Sequence, residues 1–458
     1  MNPMFGIAPE GWHRNRLRYC ASGVKNGAWG AEPGDAEHDS ICVRVADFDW
    51  DHLRVDLSNP TIRSFQELQF QKLLLRSGDI LLEKSGGGEK TPVGRVVRFE
   101  NDIEAVTSNF LARVRPSINI CPEYFIYLLA AFYHSRYAHQ FIKQNTGIQN
   151  LDDSALFSSE LWQPAFTTQK LIAEFLDRET ARIDHLIERK KRQIALLDSK
   201  KTSHSTELVT RGLDPTVALA QTGIEWLPYA PSHWRVCRLA TIFREVDEDG
   251  EEGLPVLSVS INWGISDREL GDEDRHRIVN QIADKLTYKR VRPGDLAYNM
   301  MRAWQGAFGV ATVDGLVSPA YVVARPKEAI HSPYFEPLLR TPMCIEEFRR
   351  ASKGIADFRQ RLYWEHFRQV RVVLPPLHEQ QDIAKRIHEN SVAIDKLIVP
   401  INTSIERLQE LRSTLIIAAV TGQIDVATWG KSRSIERHSD AIEREIAVNK
   451  NSTRRART

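Results

Sequence analysis

One segment occurs twice in the chain, and this internal repeat constrains the fold more than any other feature. Residues 169–214 align without a gap with residues 380–425. About a dozen of about 46 aligned positions are identical, and nearly all of them are apolar or lie at a segment boundary. The sequence therefore predicts a duplicated architecture.

Shorter motifs beside these segments also recur. The matched motifs are Pro9 and Trp12 with Pro231 and Trp234, Arg76-x-Gly78-Asp79 with Arg292-x-Gly294-Asp295, and Gly147-Ile148 with Gly354-Ile355. Their offset changes from pair to pair, as expected where loops have gained or lost residues. The predicted order is a globular unit, a helix, a second globular unit, a second helix and a tail.

Both repeated segments show the periodicity of long amphipathic helices, with apolar residues three and four apart over several heptads. Some 44 helical residues would form a rod of roughly 66 Å. Short apolar stripes of this kind usually belong to an ordinary core. Here their length, duplication and position between globular units favour a coiled-coil spacer. Pro400 lies inside the second segment and predicts a kink or a short break there.

The predicted fold class is α+β, with two mixed α/β domains separated by two long antiparallel coiled-coil helices in a pseudo-twofold internal repeat. The expected boundaries are 1–165 for the first domain and 166–214 for its helix, then 215–376 and 377–426 for the second pair. Residues 427–458 form a polar tail, for which disorder is the default expectation.

Composition narrows the classes of protein. No apolar run approaches the roughly 18 residues that span a bilayer, and the first residues lack the apolar core of a signal peptide, so we expect a cytoplasmic protein. The five cysteines are scattered without a CxxC pair, which argues against a zinc site or a disulfide framework. The net charge is only +1, so any DNA-binding charge must be gathered into patches.

Several motifs on this duplicated frame resemble one known family. Residues 374–384 (LPPLHEQQDIA) and 419–425 (AVTGQID) are similar to the entry and exit of the conserved helix in type I restriction–modification specificity subunits. Residues 294–306 with 318–321 resemble the interior of a target-recognition domain of that family. The first helix departs from the pattern, because residues 164–169 lack the fuller proline motif.

The resemblance implies a subunit that recognises DNA and is not itself an enzyme. Each globular domain would be a target-recognition domain for one half of a split double-stranded DNA sequence. The helices would set the distance between the halves and bind two methyltransferase (M) subunits, which carry S-adenosylmethionine. Where a nuclease is present, two restriction (R) subunits would use ATP and Mg²⁺. No cofactor, metal or membrane is expected for this chain.

Candidate DNA contacts lie in loops rich in hydrogen-bond donors, because lysine and arginine bind phosphates while amides and arginine read base edges. In the first domain they are Lys84, Ser85, Lys90 and Thr91 around three glycines, together with Asn145, Gln149 and Asn150. In the second they are Asn299, Arg302, Gln305, Lys353, Arg359 and Arg361. The simpler interpretations are a surface hairpin, a helix-ending turn and a solvated basic face.

Two other classes of protein remain open. A self-contained methyltransferase or nuclease is disfavoured, since no catalytic Asp/Asn-Pro-Pro-aromatic loop or glycine-rich cofactor fingerprint is present. Asp79 with Glu83 and Lys84 suggests a nuclease site only superficially, because the Gly-Asp pair recurs at Gly294-Asp295 without it. A structural coiled-coil adaptor whose globular domains bind proteins would also fit the repeated helices.

Overall fold

The computed structural model describes residues 6–89, 91–145, 147–261, 264–267, 285–354 and 360–426. The chain divides into two compact units, of which the first comprises residues 1–192 with 401–458 and the second comprises residues 193–400. The predicted tail, 427–458, lies outside the described residues. No described helix is long and apolar enough to cross a membrane.

Unit 1 combines small sheets with helices packed on them. Its strands are β1 (His13–Arg16), β2 (Ala21–Asn26), β3 (His38–Val43), β4 (Phe48–Asp49), β5 (Arg54–Val55), β6 (Ile62–Phe65), β7 (Ile80–Glu83), β8 (Ser85–Gly86), β9 (Val96–Arg98), β10 (Ala105–Thr107), β11 (Leu111–Pro116), β12 (Ile142–Asn145), β13 (Ile148–Leu151) and β14 (Glu160–Gln163). Its helices are α1 (Glu67–Leu73), α2 (Pro122–His134) and α3 (Asp153–Phe157), followed by α4 (Phe166–Arg211), which continues into unit 2.

Unit 2 repeats much of this arrangement. Its strands are β15 (Leu219–Ile224), β16 (Leu227–Pro231), β17 (Arg235–Arg238), β18 (Phe243–Val246), β19 (Val259–Ser260), β20 (Gly264–Ile265), β21 (Lys289–Val291), β22 (Leu296–Asn299), β23 (Phe308–Val310), β24 (Gly315–Val317), β25 (Tyr321–Pro326) and β26 (Arg371–Leu374). Its helices are α5 (Leu239–Ile242), α6 (Ser332–Leu339), α7 (Pro342–Ala351) and α8 (Trp364–Phe367), followed by α9 (Leu377–Val420), which continues into unit 1.

The central sheets of the two units have matching strand order. In unit 1 the order begins β2-β11-β7-β9, and in unit 2 it is β18-β25-β22-β23. In each, the strand that follows the Arg-x-Gly-Asp motif lies between two antiparallel neighbours. The pair β1-β14 likewise corresponds to β17-β26. The mixed α/β character predicted from the sequence is confirmed.

The two long helices correspond to the repeated segments. Helix α4 has 46 residues and α9 has 44, so the prediction of two long helices is confirmed. Helix α9 is continuous through Pro400, and the predicted short break is wrong. A proline removes one backbone donor from a helix, and the many remaining bonds and the buried apolar stripe outweigh that loss.

A buried glutamine near the start of each long helix fastens it to the preceding domain. The side-chain oxygen of Gln169 accepts a hydrogen bond from the Cys121 backbone N–H at 2.8 Å, and its amide nitrogen donates to the Pro164 carbonyl at 3.0 Å. Gln380 makes the same pair of bonds, with the His331 N–H and the Pro375 carbonyl, both at 2.8 Å. Cys121 and His331 each immediately precede a domain helix, so equivalent glutamines make equivalent attachments.

We expect the Gln169→Leu variant to lower the free energy of unfolding of unit 1 by about 2 kcal/mol, because two buried backbone groups lose their partner. Denaturant unfolding of the full chain, followed by hydrogen exchange in residues 121–134, measures this loss. Gln380→Leu should instead affect residues 332–339 of unit 2. Equal effects of either variant on both units would contradict the assignment.

A glycine closes each long helix against a Pro-x-x-Trp motif. Gly212 follows α4 and Gly422 follows α9, with φ angles of +81° and +72° that favour glycine. A Cβ on Gly212 would lie 3.3 Å from Cζ2 of Trp234, and one on Gly422 would lie 3.2 Å from Cζ2 of Trp12. The repeat of this motif in the sequence therefore reflects one packing contact made twice.

Candidate nucleic-acid interface

The two candidate loops of unit 1 form a single patch. Strand β13 pairs with β12 in a hairpin and with β8 on its other side, which places Asn150 opposite Ser85. The Ser85 hydroxyl donates to Oδ1 of Asn150 at 2.7 Å. Asn150 is exposed, and Ile148, on the same face two residues earlier, is 50% exposed. The sequence analysis missed Ile148, although the alternation along β13 could have indicated it.

The glycines of this patch serve the chain's own packing. Gly86 and Gly87 have φ angles of +110° and +58°, and a Cβ on Gly87 would lie 2.9 Å from the Val93 nitrogen. The Gly88 N–H donates to the Thr91 carbonyl at 3.0 Å and closes the turn. The loop is therefore a surface hairpin, with Thr91 exposed on it. The positive φ angles and the packing against Val93 account for these glycines without a close approach to DNA.

Two of the residues predicted to contact DNA in unit 1 make hydrogen bonds to other residues of the same unit. Gln149 is 7% exposed, and its side-chain oxygen accepts a hydrogen bond from the Val93 N–H at 3.3 Å, so this side chain supports the hairpin. The Lys84 ammonium donates to Oδ1 of Asn26 at 2.8 Å and lies 3.5 Å from Asp153. Lys90 and the side chain of Asn145 lie outside the described residues.

The candidate residues of unit 2 also gather at one surface, with one exception. Asn299 is 9% exposed, and its Oδ1 accepts from the Met301 N–H at 3.0 Å. Burial raises the pKa of the neighbouring Tyr321, and a hydrogen bond with Asn299 opposes that rise. Asn299 therefore stabilises the turn after β22 through a hydrogen bond to the backbone. Its burial gives no support to the prediction that it contacts DNA.

The remaining residues of that surface are exposed. Arg302 precedes a 3-10 turn, Ala303–Gln305, and Gln305 is its last residue; the Trp304 indole donates to the Met301 carbonyl at 3.0 Å. The Arg349 guanidinium lies 5.4 Å from the centre of the Trp304 ring, a cation–π distance. Further exposed candidates are Lys353 and Arg361, joined by two backbone hydrogen bonds of 3.0 and 2.9 Å. Arg359 lies outside the described residues.

The two patches occupy equivalent places in the two units. In unit 1 the Leu151 N–H donates to the Lys84 carbonyl at 2.8 Å, and in unit 2 the Leu362 N–H donates to the Met300 carbonyl at 2.9 Å. Leu151 and Leu362 are related by the offset that relates Gln169 to Gln380. In each unit this bond joins the residue that follows the strand after the Arg-x-Gly-Asp motif (β7 or β22) to a residue beyond the helix α2 or α6. Separate loops of the sequence thus converge on one site per unit.

The Arg-x-Gly-Asp motif is structural in both units. Asp79 and Asp295 are each 2% exposed and accept two bonds from an arginine, Arg115 at 2.6 and 2.7 Å and Arg325 at 2.8 and 2.9 Å. Each also caps its own turn by accepting from the backbone N–H three residues earlier, at 2.8 and 2.9 Å.

Glu83, the other carboxylate of the suspected nuclease site, is also held internally. It pairs with Arg95 at 3.0 Å; burial raises the pKa of this carboxyl group, while Arg95 opposes the rise. Within the described ranges no group of three His, Cys, Asp or Glu residues could hold a metal ion. The ion pairs of Asp79 with Arg115 and of Glu83 with Arg95 therefore indicate that both carboxylates stabilise the fold.

Comparisons with known proteins agree with this architecture. A family model described as the type I restriction modification DNA specificity domain matches residues 52–196. A protein of Methanocaldococcus jannaschii, provisionally named as the MjaX type I restriction enzyme specificity subunit, is 23% identical over 92% of this chain and 96% of its own length. The EcoBI type I restriction enzyme specificity subunit of Escherichia coli is 25% identical over 65% of this chain and 66% of its own length.

The fold has a counterpart among solved structures. A chain from a study of complex assembly and conformational transition in a type I restriction–modification system superposes with a TM-score of 0.61. The similarity covers 91% of this chain and 100% of that chain, at 14% sequence identity, and thus establishes a shared fold. The family model, the two curated relatives and the duplicated architecture agree, and the chain is similar to type I restriction–modification specificity subunits.

Proposed function

We propose that this chain is the sequence-specific DNA recognition subunit of a type I restriction–modification complex and reads a bipartite target. The observation that carries the proposal is the pair of exposed polar patches at equivalent positions of the two units. A single reading surface would not need a second copy at the same place. Two copies suit a DNA sequence divided into two halves.

The long helices would act as an antiparallel coiled-coil spacer between target-recognition domains at 1–165 and 215–376. Two ion pairs support this arrangement: Arg412 with Asp184 at 3.0 Å in unit 1, and Lys201 with Asp395 at 2.9 Å in unit 2. Asp184, the earlier of the two α4 residues, pairs with Arg412, the later of the two α9 residues, while the later α4 residue, Lys201, pairs with the earlier α9 residue, Asp395. This order is that of antiparallel helices, and the two pairs are equivalent under the repeat. Half-sites on one DNA face recur about every 34 Å, within the reach of such a spacer.

The chemistry would reside in partner subunits. Two methyltransferase subunits would carry S-adenosylmethionine and modify adenine, and two restriction subunits would add ATP- and Mg²⁺-dependent cleavage. This chain, whose curated relatives are named specificity subunits, would recognise DNA in the cytoplasm without catalysing a reaction. A structural adaptor is the second candidate, but the exposed amide of Asn150 in unit 1 and the exposed guanidinium groups of Arg302 and Arg361 in unit 2 favour a nucleic-acid partner over a protein.

The target motif in the source genome tests the proposal. We expect methylated adenines to lie in one split motif and to lose methylation when the gene is deleted, while restoring the gene restores it. Purified chain with its methyltransferase partner should bind that motif, with affinity falling as salt rises. Methylation that persists after deletion, or binding without sequence preference, would support the adaptor instead.

A further inference from the structure

One position of the repeat carries an exposed polar side chain in both units. Asn150 precedes Leu151, and Arg361 precedes Leu362, the two residues whose backbone bonds establish the equivalence of the patches. We propose that Asn150 and Arg361 are the corresponding base-selecting residues of the two domains, Asn150 for adenine and Arg361 for guanine. This inference rests on the proposed function and assigns the bases that each domain reads.

In unit 1 the amide of Asn150 is oriented before DNA arrives. The Ser85 hydroxyl donates to its oxygen, Oδ1, at 2.7 Å, and this contact restrains the rotation of the Asn150 side chain. An asparagine reads adenine by donating to N7 and accepting from the N6 amino group, so both amide ends must be correctly placed. The oxygen has a second lone pair available for the adenine. Ser85 is thus a positioning residue.

The neighbouring Ile148 extends this selection to thymine. Residues two apart on a strand share a face and are about 6.6 Å apart, close to the rise of two stacked base pairs. An exposed branched side chain suits contact with the thymine C5-methyl group in the major groove. Asn150 with Ile148 therefore favours a half-site containing A·T pairs.

In unit 2 the corresponding side chain is a guanidinium. Both backbone polar groups of Arg361 are bonded to Lys353, which holds the base of the side chain while its end remains exposed. Arginine grips guanine through N7 and O6 with two parallel bonds, a pattern that adenine cannot offer. The two half-sites should therefore differ at the equivalent position.

Reciprocal substitutions test the assignment. The full chain with its methyltransferase partner selects duplexes from a randomised library, which are then sequenced. Asn150→Arg should change one position of one half-site from adenine to guanine, and Arg361→Asn should make the opposite change in the other half-site, each by about 5- to 150-fold in preference. Asn119→Arg, which adds the same charge at another exposed asparagine, should leave the selected sequence unchanged.

The possible outcomes separate the two proposals. If the wild-type complex selects a split target and neither substitution alters the chosen base, the inference is overturned while the proposed function stands. Uniform weakening across all sequences would assign Asn150 and Arg361 to phosphate contacts and would also overturn it. A wild-type complex that selects no sequence would contradict the proposed function itself.

The positioning role of Ser85 needs a measurement that a merely structural role would not change. Ser85→Ala should reduce the preference for adenine at the same position severalfold, with little change in the rest of the selected motif. Ser85→Thr keeps the hydroxyl and should restore the preference. Ser22→Ala removes another exposed serine hydrogen bond in unit 1 and serves as the control. An unchanged preference in Ser85→Ala would refute the role.

Discussion

Replacing Arg412 with methionine is expected to lower the free energy of unfolding of unit 1 by about 3 kcal/mol. Arg412 is 7% exposed, and its Nε lies 3.0 Å from Oδ1 of Asp184, a charge pair at ionic distance although outside hydrogen-bond geometry. Its guanidinium also donates to the Asp51 carbonyl. Without it, the Asp184 carboxylate, which is only 12% exposed, would lose its ion-pair partner, which is the costly way to break such a pair.

The repeat supplies a matched control for this prediction. Lys201 and Asp395 form the equivalent pair in unit 2, where their side chains are 33% and 55% exposed. Because water screens exposed charges, Lys201→Met should cost less than about 1 kcal/mol. Denaturant unfolding of both variants, resolved by hydrogen exchange in each unit, makes the comparison. Similar losses in the two variants would show that burial does not set the strength of the pair.

A second large effect should appear as the pH is lowered. Burial, with a smaller contribution from Arg412, lowers the pKa of His134 to about 4, from an ordinary value of 6.5. Between these values the unfolded chain binds a proton that the folded chain resists, so stability falls as pH drops from about 6.5 towards 4. The loss at pH 4 should reach about 3 kcal/mol. Above pH 6.5 both states are neutral, and this group contributes no pH dependence.

Substitution of His134 isolates this contribution. His134→Asn can keep a polar atom near the Ser413 hydroxyl, which lies 3.3 Å from the His134 Nδ1, but it cannot titrate. Melting temperatures measured between pH 7 and pH 4 should therefore decline less steeply in the variant than in the wild type. His13→Asn, at an exposed position, should leave the decline unchanged. Parallel curves for wild type and His134→Asn would argue against a buried neutral histidine.

The long helices and the repeat were predictable because both are patterns within the chain itself. Apolar spacing and gapless self-alignment need no knowledge of distant contacts. The break at Pro400 was wrongly predicted, since local propensity carries no information about the stabilising partners of a long helix.

The candidate site was only partly predictable. Gln149, Asn299 and Lys84 are polar residues in polar loops, and nothing local distinguishes them from Asn150 or Arg361. Their engagement follows from partners elsewhere, Val93 for Gln149 and Asn26 for Lys84, and from a backbone turn for Asn299. Convergence of Met300 with Leu362 likewise depends on pairing between distant segments. The sequence signal of that equivalence is the offset shared by Leu151 with Leu362 and by Gln169 with Gln380, from which the Gly147-Ile148 and Gly354-Ile355 match departs.

The interleaved order of the units has a consequence for synthesis on the ribosome. Residues 193–400 are contiguous, so unit 2 can complete its core while translation continues. The core of unit 1 includes Leu408, Leu415 and Val420, and Pro9 and Trp12 pack against Gly422. Unit 1, whose first residues leave the ribosome before those of unit 2, therefore completes its hydrophobic core after unit 2 does. Until α9 has been synthesised, the apolar surface of unit 1 that packs against Leu408, Leu415 and Val420 remains uncovered.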